Sequence, residues 1–260
     1  MQDFHMRDLC LRALDTNSLC TKNVRRKQVS LQLKWMKKQD EEAVATAASI
    51  AGEEVSIEDF RTQINNDGTI EIDLYTGHAS TVVIPDMVKE IPYNAFVNCF
   101  NLASVQMGEN VEKIGSYAFV GKFEGIDLPD TLVEIGDCAF YSVDLKRLAL
   151  PKSISKIGGG AFCRLNITTL TVPGSLKVIE EQTFESCEQL KEVIIEDGVE
   201  TIEESAFEGC TELEKVVIPN SVTEIQEYAF WQSKKVVIVA EPESCAEAFA
   251  NQYGIPVQNP

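Results

Sequence analysis

The chain has 260 residues, 44% of them apolar, enough for one or two packed cores. No run of eighteen apolar residues occurs, so the sequence predicts no membrane-spanning helix. Charge is divided: residues 1–39 carry a net +6 and residues 40–260 a net −24. An acidic body of this size should repel nucleic acid. Its charge then means either a neutral or basic protein partner or simply the solubility of a long, open fold.

Residues 1–55 read as a non-repeat segment, basic up to residue 39. The opening Met1 to Cys10 lacks the basic-then-apolar order of a secretory leader. That fits either retention in the cytoplasm or a leader that is not part of this chain. Phe4, Cys10, Leu11 and Leu14 predict a short helix. Asn23 to Lys38 reads two ways. Val29, Leu31, Leu33 and Trp35 alternate with polar residues as in a strand, whereas Val29, Leu33 and Met36 share a helix face. As a basic amphipathic stretch it would suit an anionic membrane, nucleic acid or the chain's own acidic body. Asp40 to Ala51 is helix-prone until Gly52. Ser56 then predicts a second helix, with Ile57, Phe60 and Ile64 on one side. Asn65-Asn66-Asp67-Gly68 predicts a turn and Thr69 to Tyr75 a strand, so residues 56–77 are expected to form an amino-terminal cap.

From residue 78 to 239 one motif recurs seven times, most plainly from Val216 to Phe230. Its isoleucine falls at Ile91, Ile114, Ile135, Ile157, Ile179, Ile202 and Ile225. Five residues later stands Phe96, Phe119, Phe140, Phe162, Phe184, Phe207 or Phe230, each preceded by Ala except at Thr183. Apolar residues also hold the places three, seven and nine before each isoleucine, as Val222, Ile218 and Val216 do before Ile225. Length varies only between the phenylalanine and the next paired apolar residues, which makes that stretch a surface loop. The period of 21 to 23 residues is that of leucine-rich repeats. Within a copy, Val216 and Ile218 alternate with Lys215 and Val217, which predicts a short strand. Pro219-Asn220-Ser221 turns the chain, and Tyr228-Ala229-Phe230 predicts a helical turn. The expected fold is therefore an α/β repeat: a right-handed solenoid with short parallel strands on one face and short second strands and helical turns opposite. Val236 to Val239 is read as a last strand facing outward through Lys235 and Val237. Residues 240–260 are read as a carboxy-terminal cap built on a helix around Ser244 to Tyr253.

Cys210 to Phe230 resembles the BspA-type leucine-rich repeat family of bacterial and protozoan proteins, and the resemblance covers about residues 75 to 255. It implies a curved solenoid used for protein contacts, often in adhesion at a cell surface.

No constellation in the sequence reads as catalytic, metal-binding or cofactor-binding. The eight cysteines form no C-x-x-C pair, and the histidines are His5 and His78 alone. Cys99, Cys187 and Cys210 each follow the repeat phenylalanine by three residues, a slot that favours buried free thiols. Cys187 and Cys210, on adjacent coils, are the pair to consider for a disulfide. Binding is expected on the outward positions of the strand face: Ser104, Gln106, Asp127, Arg147, Thr169, Thr171, Glu192, Ile194, Lys215 and Val217. Their mixed character suits a protein surface better than a pocket. The functions weighed are a non-catalytic module that binds a protein through this face, a scaffold acting through the basic amino-terminal segment, and, more remotely, a thiol enzyme. Caps at both ends would favour a monomer.

Overall fold

The structure, a computed structural model, describes residues 60–64, 70–75, 80–97, 99, 102–119 and 125–260. All of them lie in the second of two units, Thr46–Pro260. The helices expected before residue 56, the two-way segment Asn23–Lys38, the Ser56 cap, the turn Asn65–Gly68 and both histidines fall outside the described residues.

The first described element corrects a prediction. Phe60–Ile64 is a strand, not the second half of a helix, and pairs antiparallel with Ile70–Tyr75, Phe60 opposite Tyr75 and Ile64 opposite Ile70. Phe60, Thr62 and Ile64 fit period two as well as helical spacing. An isolated helix of two turns is marginal, whereas a neighbouring strand satisfies every second backbone group at once.

Beyond the hairpin the chain winds through parallel coils. One ladder joins Thr81–Val83, Ser104–Gln106 and Gly125–Asp127. A second joins Thr169–Val172, Glu192–Ile195, Lys215–Val217, Val237–Val239 and Val257–Gln258. Two-residue strands ending at each repeat isoleucine form a further pair of ladders, from Glu90–Ile91 to Lys156–Ile157 and from Val178–Ile179 to Glu224–Ile225. Pairing is in register with the repeat: Val82, Val105 and Ile126 face one another in turn, as do Leu170, Val193, Val216 and Ile238.

That register corrects the last strand. Val237 pairs with Lys215 and Val239 with Val217, so Val237 and Val239, not Lys235 and Val237, continue the outward rows. Placing Val236 inward at the start of the strand would have required the shortest loop of all. A shift of two residues restores the ordinary loop length and keeps the same side chains inward.

The predicted helical turn is a run of three overlapping β-turns. In the last copy Ala229, Trp231 and Ser233 donate to the carbonyls of Gln226, Tyr228 and Phe230, three residues back. The residue two before each phenylalanine has positive φ: Asn94, Tyr117, Cys138, Gly160, Gln182, Ser205 and Tyr228. This conformation costs a non-glycine residue of order 1 kcal/mol. It also aims the N–H along the solenoid axis. Cys138 donates to the Gly159 carbonyl at 2.9 Å and Gln182 to Glu204 at 3.1 Å. The phenylalanine amides do the same, Phe140 to Ala161 at 2.8 Å and Phe162 to Thr183 at 2.9 Å. Each coil is thus bonded to the next on its turn side, and that bond offsets the conformational cost.

The core is a continuous column. The rings of the seven repeat phenylalanines stack face to face at centroid separations of 4.8 to 5.6 Å, and all are buried. Tyr75 covers the first ring at 5.5 Å, and Phe249 meets the last edge-on at 6.1 Å. Phe249 belongs to the helix Cys245–Tyr253, whose first turn is capped by Ser244 accepting from the Glu247 N–H and whose end is closed by left-handed Gly254. Thr183, the exception to alanine, is buried and donates its hydroxyl to the Glu180 carbonyl at 2.7 Å.

Candidate functional site

The strand face presents two rows of outward side chains. In the amino-terminal ladder one row is Thr81, Ser104 and Gly125 and the other Val83, Gln106 and Asp127. Ser104 lies opposite Gly125 and donates to the Thr81 hydroxyl at 3.2 Å, while Gln106 lies opposite Asp127. In the carboxy-terminal ladder one row runs Thr169, Glu192, Lys215 and Val237, the other Thr171, Ile194 and Val217, ending at Val239, which is buried. Lys215 Nζ sits 2.9 Å from Glu192 Oε1. Ile194 is 41% exposed, beside Val217 in the next coil. The face therefore changes along its length from a mainly polar surface, with Val83 its apolar member, to an apolar row edged by an ion pair.

Arg147 stands between the two ladders. The repeat predicts a strand in its copy as in the others, yet Lys146–Leu150 joins neither ladder. The coil is held in place from the other side, by the Phe140 and Phe162 amides and by the buried side chains of Leu145 and Leu148. A coil tethered through its turns can lose its strand bonds without leaving the stack.

The structure gives the cysteine slot a specific task. The thiols of Cys187 and Cys210 donate to the carbonyls of Phe162 and Phe184, both at 3.3 Å, and the Ser233 hydroxyl does the same to Phe207 at 2.8 Å. A small donor is needed there, and sulfur or oxygen serves. The thiols of Cys99, Cys163, Cys187, Cys210 and Cys245 are free. Burial pushes the Cys99 thiol up to about 11 and Cys210 up to about 12, and it raises Cys163 and Cys187 further. Such thiols stay protonated at neutral pH, the opposite of an activated nucleophile. Among the described residues no group of three His, Cys, Asp or Glu side chains is placed to hold a metal ion. No described helix is long and apolar enough to cross a membrane.

What sequence reasoning missed is the turn side's aromatic display. Tyr93 is 59% exposed and Trp231 55%, with Tyr228 and Tyr253 also exposed. Tyr228 falls inside the motif and Trp231 just after it, at places where the other copies carry no common residue, so the repeat pattern held no hint of them.

Similarity to known proteins follows the same geometry. The family model described as "BspA type Leucine rich repeat region" matches residues 70–122 and 120–237 in 6 copies. A leucine-rich repeat protein of T. pallidum is similar in structure, with TM-score 0.65 and 25% identity over 78% of this chain and 97% of its own. A leucine-rich repeat protein of Bacteroides ovatus aligns with TM-score 0.44 and 19% identity over 80% of this chain and 77% of its own. No match was found among curated proteins. A parallel coil of the expected period, an unbroken phenylalanine column and a family match over most of the chain lead to one conclusion: this chain belongs to the BspA-type leucine-rich repeat family.

Proposed function

We propose that the chain is a non-catalytic binding module that engages a protein partner through the carboxy-terminal half of its strand face. The observation that carries this reading is the apolar row of Ile194 and Val217, in register on neighbouring strands and flanked by the Glu192–Lys215 pair. A monomer has no packing use for an exposed isoleucine beside a valine on a flat strand surface, whereas an apolar centre with a polar edge is how protein interfaces are built. The other face residues fall into place around it: Thr169 and Thr171 on one side of the row, Arg147 beyond them, and Ser104, Gln106 and Asp127 on a polar extension. The solenoid's acidity keeps nucleic acid from being the partner.

The test is affinity capture from cell extracts with the full chain, with Ile194→Glu/Val217→Glu, and with Gln106→Ala. The reading expects one set of captured proteins with the parent chain and Gln106→Ala, absent with the double variant. Equal capture by all three would remove the strand face from the account. Loss of every captured protein on deleting residues 1–39 would move the function to the basic segment.

A further inference from the structure

Away from the strand face, at the carboxy-terminal end of the turn side, three aromatic side chains stand out together. Tyr228 and Trp231 meet edge to face with centroids 5.6 Å apart, and both rings are exposed, 41% and 55%. Tyr253, 42% exposed, stands on the closing helix, its ring 4.7 Å from Phe249, which covers the last phenylalanine of the column. The helix that carries Tyr253 packs against Glu224–Ile225, the short strand just before Tyr228. Phe230 and Phe249, which close the core at this end, are themselves buried, while the three rings above them remain exposed.

Carboxylates border this patch. Glu227 accepts a hydrogen bond from the Tyr228 phenol, and Glu204 occupies the same place one coil earlier. Glu208 occupies the place of Trp231 one coil earlier, the two coils being joined there by the Gly209 N–H and the Trp231 carbonyl at 2.8 Å. Of the two lysines that follow, Lys235 is held by Glu212 at 2.6 Å and Lys234 is exposed. Aromatic faces edged by carboxylates select one kind of ligand: a cation with an apolar stem, which rests on the rings and places its charge among the acids.

We infer that Tyr228, Trp231 and Tyr253, with Glu204, Glu208 and Glu227, form a second docking surface, distinct from the strand face, for a lysine- or arginine-rich segment of a partner protein. The Tyr228–Trp231 pair and the Glu204–Glu208 coil are neighbours, about 4.8 Å apart along the stack, so one long cationic side chain that rests on the rings can place its charge at the carboxylates of the adjoining coil. Charge complementarity commits the surface to a basic occupant, since an acidic or purely apolar segment would leave three carboxylates facing it uncompensated.

The experiment is calorimetric titration of the full chain with a short synthetic peptide of alternating lysine and glycine, and with its glutamate counterpart. A Trp35→Phe chain, in which Trp231 is the sole tryptophan, reports contact by emission. The expected result is saturable binding of the lysine peptide alone, a shift of Trp231 emission, and affinity falling about tenfold or more in Trp231→Ala and in Tyr228→Ala. Glu204→Gln/Glu208→Gln/Glu227→Gln should weaken binding and flatten its salt dependence. Tyr93→Ala, an exposed aromatic at the opposite end, and Ile194→Glu should leave it unchanged. Circular dichroism confirms that each variant is folded. Three results would overturn the inference. One is no saturable binding; another is binding indifferent to Trp231→Ala and Tyr228→Ala, which would mean general attraction to an acidic body. The third is self-association abolished by Trp231→Ala, which would assign the patch to a second copy. None of these touches the strand-face reading, which the Ile194→Glu control tests separately.

Discussion

The turn side and the strand side of this solenoid are built to different tolerances. On the turn side all seven copies carry the same phenylalanine and a left-handed residue two before it, and from Phe96 to Phe207 the phenylalanine amide is bonded to the next coil. On the strand side the ladder lapses at Lys146–Leu150, and the outward rows pass from serine, glutamine and aspartate to isoleucine and valine. Where one side holds the stack, the other is free to diverge, and divergence confined to one surface is what recognition of a partner requires.

The difference is broken most severely by Phe162→Ala. Phe162 is wholly buried between Phe140 at 5.4 Å and Phe184 at 5.6 Å. The cavity and lost stacking should cost about 3–5 kcal/mol, read by urea unfolding. Next comes Gly174→Ala, at the turn leaving the strand, where a β-carbon would collide with the Asp197 carbonyl oxygen of the neighbouring coil. Backbone on both sides leaves nothing to yield cheaply, and a loss of about 1–3 kcal/mol is expected by the same assay. The thiol slot sharpens the point. Cys187→Val removes the donor to the Phe162 carbonyl and should be about 1 kcal/mol less stable than Cys187→Ser, because Ser233 fills the equivalent place with a hydroxyl.

A pH series separates two stretches of the short isoleucine ladder. Glu180 is held above the ordinary glutamate range by burial first and then by its hydrogen bond with Glu203. An acid whose folded pKa is raised contributes stability below its unfolded pKa, about 4.3, and loses it as pH rises through the folded value. Glu180→Gln should therefore stabilise at neutral pH, and that gain should vanish on acidification. Glu134 is the reverse case. The hydrogen bond from Lys156, ahead of that from Lys113, holds its carboxyl low, so its contribution is present at neutral pH and lost as pH falls through the folded pKa. Glu134→Gln should accordingly destabilise slightly at neutral pH and have no effect in acid. Thermal melts of both variants from pH 7 down to about pH 3 check the two signs.

Much of the turn side could be read from the sequence, because in a solenoid residues one period apart become neighbours. Seven phenylalanines at one spacing therefore announce one column, and paired valines and isoleucines announce one ladder. The left-handed residue escaped because Asn94, Cys138, Gln182 and Tyr228 share no chemistry. What they share is an amide direction, which no side chain encodes. Phe60–Ile64 misleads because five residues satisfy both periods, and the choice is made by pairing with a segment ten residues on. The lapse at Arg147 falls in a copy whose pattern matches the others, so single-copy patterning carries no trace of it. Ile194 was recognisable as an outward residue. That it continues through Val217 into one apolar row depended on register between coils.

The measurement that bears most directly on this division is equilibrium urea unfolding of Ile194→Glu beside Phe162→Ala, with capture by each variant recorded on the same preparations. If the turn side holds the fold and the strand face binds, Ile194→Glu keeps a midpoint within about 0.5 kcal/mol of the parent chain and loses its captured partner, while Phe162→Ala loses several kcal/mol. A comparable loss of stability in Ile194→Glu, with capture retained by whatever remains folded, would contradict it.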